Sequence, residues 1–589
     1  MHMFLRGVRP ACSTYILDCS NMYVLPAFLS YINQLTVTYP LCPSHTLLKM
    51  PSSCLALAGL GHNAPILRLP PELLSRIFHS CICRGPPRIH YRCHATTALR
   101  LTHVCRLWRE AAQATRELWA TIVFNHQPAA YREHALRLSG KALLDVWLVE
   151  WGRFRDAGLL TLVQDHGHRI RSLVLWKTSI ATGAPQGIES HFTAPVCLPR
   201  LEALAVDYCM LSASERFWTP LLDARNLRSL RLGSGIADIA TWHKLASCTR
   251  LRSLTIAADF HSGMVESGTV WPPLPEFLDI LAGLTDLEEL QVWVPRRTEW
   301  LPVERPTVLA KLTTLSFDGC PKNAAYLISQ LVLPSLLHCK TSHNHGKMPP
   351  EEQELLFQAV VTYILPHFTQ DDLLELGIHM FVWTLLSGRA RRQVMGEEVD
   401  ASFALYIPAS DGALSRVCRT LRLDNVRRLR VEHANPVVGT ELLEVIRPLT
   451  RVTDLDFVHP PPHELLLPSD GVLPFPGLER VSVEDPCTSM WLCSRHNRAW
   501  DEDAAYPGEC SGPTNNCVEG FLETVLARQR SPRPVQHVAL VGKWKPEIVH
   551  YLRLAAALRN ISQVVGYSVA RASLLCGEKE QKPPCRARF

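Results

Sequence analysis

The chain of 589 residues is longer than one ordinary hydrophobic core supports, so several domains or an extended array are expected. Apolar residues make up 47% of it, which excludes a wholly disordered chain. The 61 basic and 55 acidic residues leave a net charge of +6, too small and too dispersed a bias for a nucleic-acid-binding face.

The N-terminal stretch, residues 1–64, carries Arg6 and Arg9, but Asp18, Asn21, Pro26 and Asn33 interrupt every apolar run. With no helical or strand period, it is expected to be poorly ordered. A start at Met50 would remove no recognised feature, which the intact mass of the native protein would test. No secretory signal is evident, and no stretch approaches the roughly 18 apolar residues of a membrane span, so no membrane partner is expected. The twenty cysteines show no disulfide-type spacing and read as reduced thiols of a cytoplasmic or nuclear protein. Gly59-Leu-Gly-His-Asn-Ala64 has the look of a dinucleotide loop, but Pro65 follows where a helix should begin, so it reads as a plain loop.

Two amphipathic segments come next. Leu69 to Phe78 reads LPPELLSRIF: Pro70 and Pro71 preset a first helical turn, Glu72 suits the positive end of the helix dipole, and Leu73, Leu74, Ile77 and Phe78 recur at helical spacing. Val104 to Ile122 reads VCRLWREAAQATRELWATI, with Val104, Leu107, Trp108 and Ala111 as a stripe that Leu118, Trp119 and Ile122 close. Together these segments resemble an F-box, the short helical module that docks on a Skp-type adaptor. The departure from the family pattern is an insertion over about 81–98, rich in Cys, Arg, His and Pro, expected to bulge as a loop. The resemblance implies that Leu69, Pro70, Leu73, Ile77, Val104, Cys105 and Trp108 meet the adaptor, with Trp108 serving as core, docking face or both. The overall layout resembles fungal, basidiomycete-type F-box proteins.

From about residue 140 one phrase recurs, apolar at its first, fourth and sixth positions. It appears at Leu143/Val146/Leu148, Ile170/Leu173/Leu175, Leu201/Leu204/Val206, Leu227/Leu230/Leu232, Leu251/Leu254/Ile256, Leu287/Leu290/Val292 and Leu312/Leu315/Phe317. It resumes at Leu373/Leu376/Ile378, Val426/Leu429/Val431, Val452/Leu455/Phe457, Leu478/Val481/Val483 and Val535/Val538/Leu540. Neighbouring starts such as Leu201, Leu227 and Leu251 lie 24 to 26 residues apart, and the phrase resembles the leucine-rich repeat. Cys209 and Cys320 stand where that repeat often has cysteine. Helices are expected between strands, at Glu215–Ala224, Pro275–Leu284, Ala324–Val332 and Thr440–Pro448, because one strand–helix unit cannot bury its apolar face alone. The interval Thr341–Asp372 breaks the rhythm with a polar linker and a helix from Gln353 to Leu365 that Pro366 stops. Residues 380–420 have no clear phase.

The expected fold is therefore α/β. A small all-helical F-box module (65–125) precedes an irregular leucine-rich-repeat solenoid, with parallel strands on its concave face and helices on its convex face. One arc covers 140–340, an interruption 341–372, and further repeats 373–567 with a long loop at about 485–517. A disordered tail closes the chain at 568–589.

In such an array the positions between the apolar ones line the open face. They include Asp145, Trp147 and Val149; Ser172, Val174 and Trp176; Ser229, Arg231 and Gly233; and Glu289, Gln291 and Trp293. Trp147, Trp176 and Trp293 are the leading target contacts, since enclosed tryptophans contribute strongly at interfaces, and Arg231 could read a phosphate. The alternative for the tryptophans is cover from neighbouring loops. Arg428, Asp454 and Arg480, with Arg430 and Asp456 beside them, are expected to pair across strands as a self-compensated face.

Two Cys/His clusters, Cys81/Cys83/His90/Cys93/His94 and Cys487/Cys493/His496/Cys510/Cys517, lack the paired spacing of a zinc site. Cys105 lies on an apolar stripe and reads as a small packing residue. No P-loop, G-x-S-x-G or H-E-x-x-H occurs, and nothing in the sequence argues for a catalytic triad, so neither enzyme activity nor a cofactor is expected. The resemblance implies the substrate-recognition subunit of an SCF-type ubiquitin ligase, bound to a Skp-type adaptor and through it to cullin, with an unknown protein target held by the repeats. The alternative is a non-catalytic scaffold with the same docking helices that directs no ubiquitination.

Overall fold

In the computed structural model, the chain is described at residues 69–81, 98–124, 127–150, 158–177, 197–207, 221–233, 239–256, 271–294, 298–341, 349–369, 372–380, 384–394, 396–407, 412–433, 440–457, 475–484, 528, 535–541 and 563–567. The expectations for residues 1–64, Gly59–Ala64, the insertion, both Cys/His clusters beyond Cys81, Cys209, the loop at 485–517 and the tail lie outside these.

Helix α1 (Pro71–Cys81) and α2 (Arg106–Ala114) flank a helical stretch at 98–104. After them come β1 (Thr121–Phe124), α3 (Ala129–Ser139), β2 (Leu144–Glu150), α4 (Gly158–His166), β3 (Ile170–Lys177), β4 (Ala203–Asp207), β5 (Ser229–Leu232) and α5 (Ile239–Leu245). The chain continues through β6 (Ser253–Ile256), α6 (Leu274–Gly283), β7 (Glu289–Val294), β8 (Thr307–Val308), β9 (Thr314–Gly319), α7 (Pro321–Gln330), β10 (Leu331–Val332) and β11 (His338–Thr341). Then follow α8 (Pro350–Ala359), β12 (Asp372–Met380), β13 (Thr384–Val394), β14 (Glu397–Ile407), α9 (Ala413–Thr420) and β15 (Arg428–His433). The last elements are α10 (Thr440–Ile446), β16 (Asp454–Phe457), β17 (Arg480–Glu484), β18 (His537–Val541) and β19 (Gln563–Tyr567).

Among the described residues, seventeen strands make one sheet. Strands β1 to β7, then β9 and β11, pair in parallel, each with its neighbour in the chain. Strands β15 to β19 do the same. The instances of the recurring phrase fall at these strands or at β12, most with the first apolar position just before the strand, and their buried positions fill columns running across the sheet. At β2 it is Leu144, not the expected Leu143, that is buried in the first column, opposite Ile170. Ile122, Val146, Leu173, Leu204, Leu230, Leu254, Leu290 and Leu315 stand side by side, each no more than 1% exposed. Each such residue gains about 1.5–3 kcal/mol from burial, which is why a strand too short to stand alone is stable in the row. In the helix layer Trp242, Trp271, Phe277 and Trp300 pack as a cluster, with ring centroids 5.3 to 5.9 Å apart.

Four departures from expectation stand out. The sheet begins at β1, inside the helical module rather than near residue 140. Leu331 and Val332, read as the end of a helix, instead form β10, which pairs with β8 in a separate two-stranded sheet. Between β11 and β15 the order of strands reverses. β14 pairs with β11, β13 runs antiparallel between β14 and β12, and β12 pairs with β15. A reversal needs only a tight turn, which Gly396 (φ 85°) supplies, whereas a parallel neighbour needs a full crossover. The helix expected from Gln353 starts earlier, at Pro350, and passes through a π-turn at Val360–Ile364 into a 3-10 turn at Leu365–His367 that contains Pro366.

Arg169, just before β3, ties the end of α3 to the sheet. It is 6% exposed, and its guanidinium donates to Ser139 Oγ (3.1 Å) and to the carbonyls of Gly140, Ala142 (3.2 Å) and Leu136 (3.5 Å) at the end of α3. These are the carbonyls a helix leaves unsatisfied. Arg169→Ala is expected to cost about 2–4 kcal/mol, read as a lower thermal midpoint and faster amide exchange at the α3 C-terminus. An unchanged midpoint would show that water replaces the guanidinium without loss.

Candidate functional site

Pro71 occupies the first turn of α1, and the carbonyl of Pro70 accepts from Leu73 N (3.0 Å) and Leu74 N (3.1 Å). The i, i+4 spacing then divides the helix. Leu74 and Phe78 are fully enclosed, while Leu73, 43% exposed, begins the other side and Ile77, a turn later, is half-buried. The stretch 98–104 repeats this division: Ala98 and Leu101 enter the core, and Leu99 and Val104 stay outside at 38% and 43%.

Cys105 starts α2 as its N-cap, in an extended conformation, with its Sγ accepting from Trp108 N at 3.5 Å. It packs against the core, as expected of it, and caps the helix as well. Trp108 is 3% exposed, and its ring lies 5.1 Å from that of Phe78. Core and docking face were both open to it, and the structure places it in the core. Polar links fix the helices to each other: Ser75 Oγ to Thr115 Oγ1 at 2.8 Å, Arg109 Nε to the carbonyl of Thr102 at 3.0 Å, and Trp119 Nε1 to that of Ala112 at 2.7 Å.

The outcome is a helical unit whose large apolar residues are not all used inside. Pro70, Leu73, Leu99 and Val104 face outward, Leu69, Ile77 and Leu107 are half-buried, and Leu74, Phe78, Leu101 and Trp108 form the interior. Leu99 is the position the sequence reading passed over. Its signal was available, since it begins the same apolar segment as Leu101. Apolar side chains held outward on a rigid unit are suited to an apolar groove on a partner.

A comparison with protein families gives one match to this unit, the family described as F-box-like, at residues 66–125. Residues 66–125 are an F-box-like domain. No curated protein matches the chain. The F-box-like domain covers about a tenth of the sequence, and its end is also the start of the sheet. Leu118, Trp119, Ile122 and Phe124 belong to the same continuous core as the strands that follow, so the domain and the sheet are packed together. The outer edge of β1 is closed by Gln127. Its Oε1 accepts from Val123 N (2.9 Å) and its N donates to the carbonyl of Val123 (3.3 Å).

The opposite face of the sheet holds the other candidates. Trp147 was expected to stand open, but it is 9% exposed and packs with Val123, Val174 and Ala205, its neighbours across β1, β3 and β4. Alternation assigns a residue to a face and says nothing about what lies over that face. Trp176 lies on β3 opposite Val149 and Asp207, and its side chain is outside the description. Arg231 is half-buried between Ala205 and Thr255. Trp293 is half-buried beside Asp318, with Nε1 enclosed and without a hydrogen-bond partner among the described residues.

The charged columns pair across strands, but in part differently from expectation. Arg428 Nε reaches Asp456 (2.6 Å) instead of Asp454, and Arg480 takes Asp454 (3.3 Å). The Asp456 hydrogen bond holds the Arg428 guanidinium above its usual pKa. Toward the start of the sheet, Arg171 clasps Asp145 (2.8 Å), which raises the Arg171 pKa likewise. Among the described residues no group of three or more His, Cys, Asp or Glu could hold a metal, and no helix is long and apolar enough to cross a membrane.

Proposed function

We propose that the chain is the substrate-recognition subunit of an SCF-type ubiquitin ligase, acting in the cytoplasm or nucleus. The F-box-like domain docks on a Skp-type adaptor through Pro70, Leu73, Ile77, Leu99 and Val104, with Leu69 and Cys105 shaping the helix starts and Trp108 holding the unit together from within. The strand–helix units beyond it are read as an irregular leucine-rich-repeat array that presents a protein target, with Arg231 and Trp293 as its contacts. Ubiquitin transfer itself would be done by partners. The chain's contribution is proximity and orientation, for which a domain sharing one core with the target-binding sheet is well suited.

The observation that carries this reading is the outward placement of Leu73 and Val104 within the F-box-like domain while Leu74, Phe78 and Trp108 are enclosed. The experiment is capture of adaptor and cullin by the wild-type chain and by a Leu73→Glu, Val104→Glu variant. Both substitutions put charge on exposed positions, so the thermal midpoint should move little. Capture should fall at least about 30-fold, equivalent to roughly 2 kcal/mol at an interface centre. Adaptor without cullin would favour the scaffold alternative. Undiminished capture by the variant would show that docking uses another surface.

A further inference from the structure

Where the strand order reverses, three side chains from three strands converge on the sheet face opposite the core. His379 on β12 and Glu432 on β15 are direct cross-strand neighbours, with His379 Nδ1 2.6 Å from Glu432 Oε2. On the other side of β12 the hydroxyl of Ser387, on β13, stands 3.4 Å from His379 Nε2 and equally 3.4 Å from the carbonyl of Gly377, the two acceptors open to its proton. Ser387 is paired with Gly377 in the ladder, so it approaches the imidazole along the diagonal. Gly377 is what permits this. A Cβ there would collide with Ser387 Oγ and stand 3.2 Å from His379 Nε2, so any other residue would push the pair apart. Arg430, paired with Gly377 from the opposite side, borders the same gap with a cation.

The order of these groups matters more than their proximity. A carboxylate that accepts a hydrogen bond from Nδ1–H fixes the ring and its tautomer, which leaves the Nε2 lone pair facing the hydroxyl. Glu432 is 8% exposed and the His379 side chain 19%, so the dyad is sheltered, while Ser387 remains half-open at the surface. A nucleophile, a base within reach and an orienting acid are the elements of an acyl-transfer site. The antiparallel β13 supplies the serine, and without the reversal no hydroxyl would sit beside this imidazole.

We propose that Ser387, His379 and Glu432 form a nucleophilic triad that cleaves carboxylic esters by acyl transfer. Ser387 Oγ attacks the ester carbonyl as its proton passes to His379 Nε2, and Glu432 stabilises the imidazolium. The C–O bond to the alcohol breaks, and the alcohol departs with the proton from His379. Water then attacks the acyl-serine, gives its proton to His379, and releases the carboxylic acid, with the proton returned to Ser387. This chemistry is independent of adaptor docking.

The test uses the full-length chain and a fluorophosphonate probe, which phosphonylates activated serines with loss of fluoride. Wild type should carry a single adduct, mapped by peptide mass to Ser387 and absent from Ser387→Ala. His379→Ala should slow labelling about 100-fold or more, the typical loss when a general base is removed. His379→Gln, which keeps a hydrogen-bonding group for Glu432, serves where alanine disturbs the fold, and should be equally slow. Glu432→Gln should be impaired as well, and hydrolysis of p-nitrophenyl acetate should follow the same order. Absence of an adduct at Ser387, or labelling as fast in both His379 variants as in wild type, would overturn the proposal.

Discussion

Trp108→Ala is expected to unfold the F-box-like domain, so its effect on adaptor capture follows from lost structure and not from a lost contact. The indole is 3% exposed, lies 5.1 Å from the ring of Phe78 and sits one turn from Ala111 and Ala112, themselves enclosed. Truncating a buried tryptophan costs about 3–5 kcal/mol, from the lost transfer energy and the cavity left behind. Three short helical segments held by a few polar links cannot absorb that loss, because helices of this length depend on tertiary packing. Amide protection in α1 and α2 should collapse in the variant, while β5 to β9, which share no residue with this helix pair, stay protected. Adaptor capture should disappear as well. Leu73→Glu with Val104→Glu should lose capture and keep protection, and the contrast separates interior from docking face. Were Trp108→Ala to retain native exchange and lose only capture, Trp108 would have to meet the adaptor directly.

The same residue shows how far the sequence can be read. Leu73, Leu74, Ile77 and Phe78 announce a helix by their period, and Val104, Leu107 and Trp108 another, but the letters are apolar on both the interior and the docking side. Only packing separates Leu73 from Leu74. In the sheet, the recurring phrase marks a strand wherever three apolar columns must be filled. It is present but masked on β1, where Trp119, Ile122 and Phe124 spell it while ending the F-box motif. It is silent on β11, where the third position is Thr341, fully buried, its hydroxyl accepting from Tyr406 N at 3.0 Å. The hairpin of β13 and β14 alternates instead, with small residues such as Gly388 and Ala390 facing the core under Phe403. The Ser387–His379–Glu432 cluster was illegible for a related reason. It depends on the register of a strand laid down in reverse, and register belongs to the assembled sheet.

The second large effect is expected at Gly319, the last residue of β9. Its φ of 104° is open to glycine and strained for any L side chain, and a Cβ placed on it would drive into the carbonyl of Val294 on the neighbouring β7. That carbonyl accepts from Cys320 N at 2.9 Å, and Cys320 in turn is the N-cap position of α7. Asp318 Oδ1 also accepts from Gly319 N at 2.8 Å, so the strand-to-helix turn is fastened on both sides of the glycine. Gly319→Val must therefore either strain the backbone or part β7 from β9. Backbone strain of this kind costs about 1–3 kcal/mol by itself. With the lost pairing and helix start added, a total of about 4 kcal/mol or more is expected. Each strand here pairs only with its neighbours, so the damage should stay local before it spreads. Exchange should rise first in β7, β9 and α7, while α1 and α2 remain protected and adaptor capture persists. On the proposed role of Trp293 as a target contact, target binding should weaken, because Trp293 stands beside Asp318 on the disturbed strands. If exchange rose evenly from α1 to β18, the single core would behave as one cooperative unit, and loss of docking would accompany loss of the sheet.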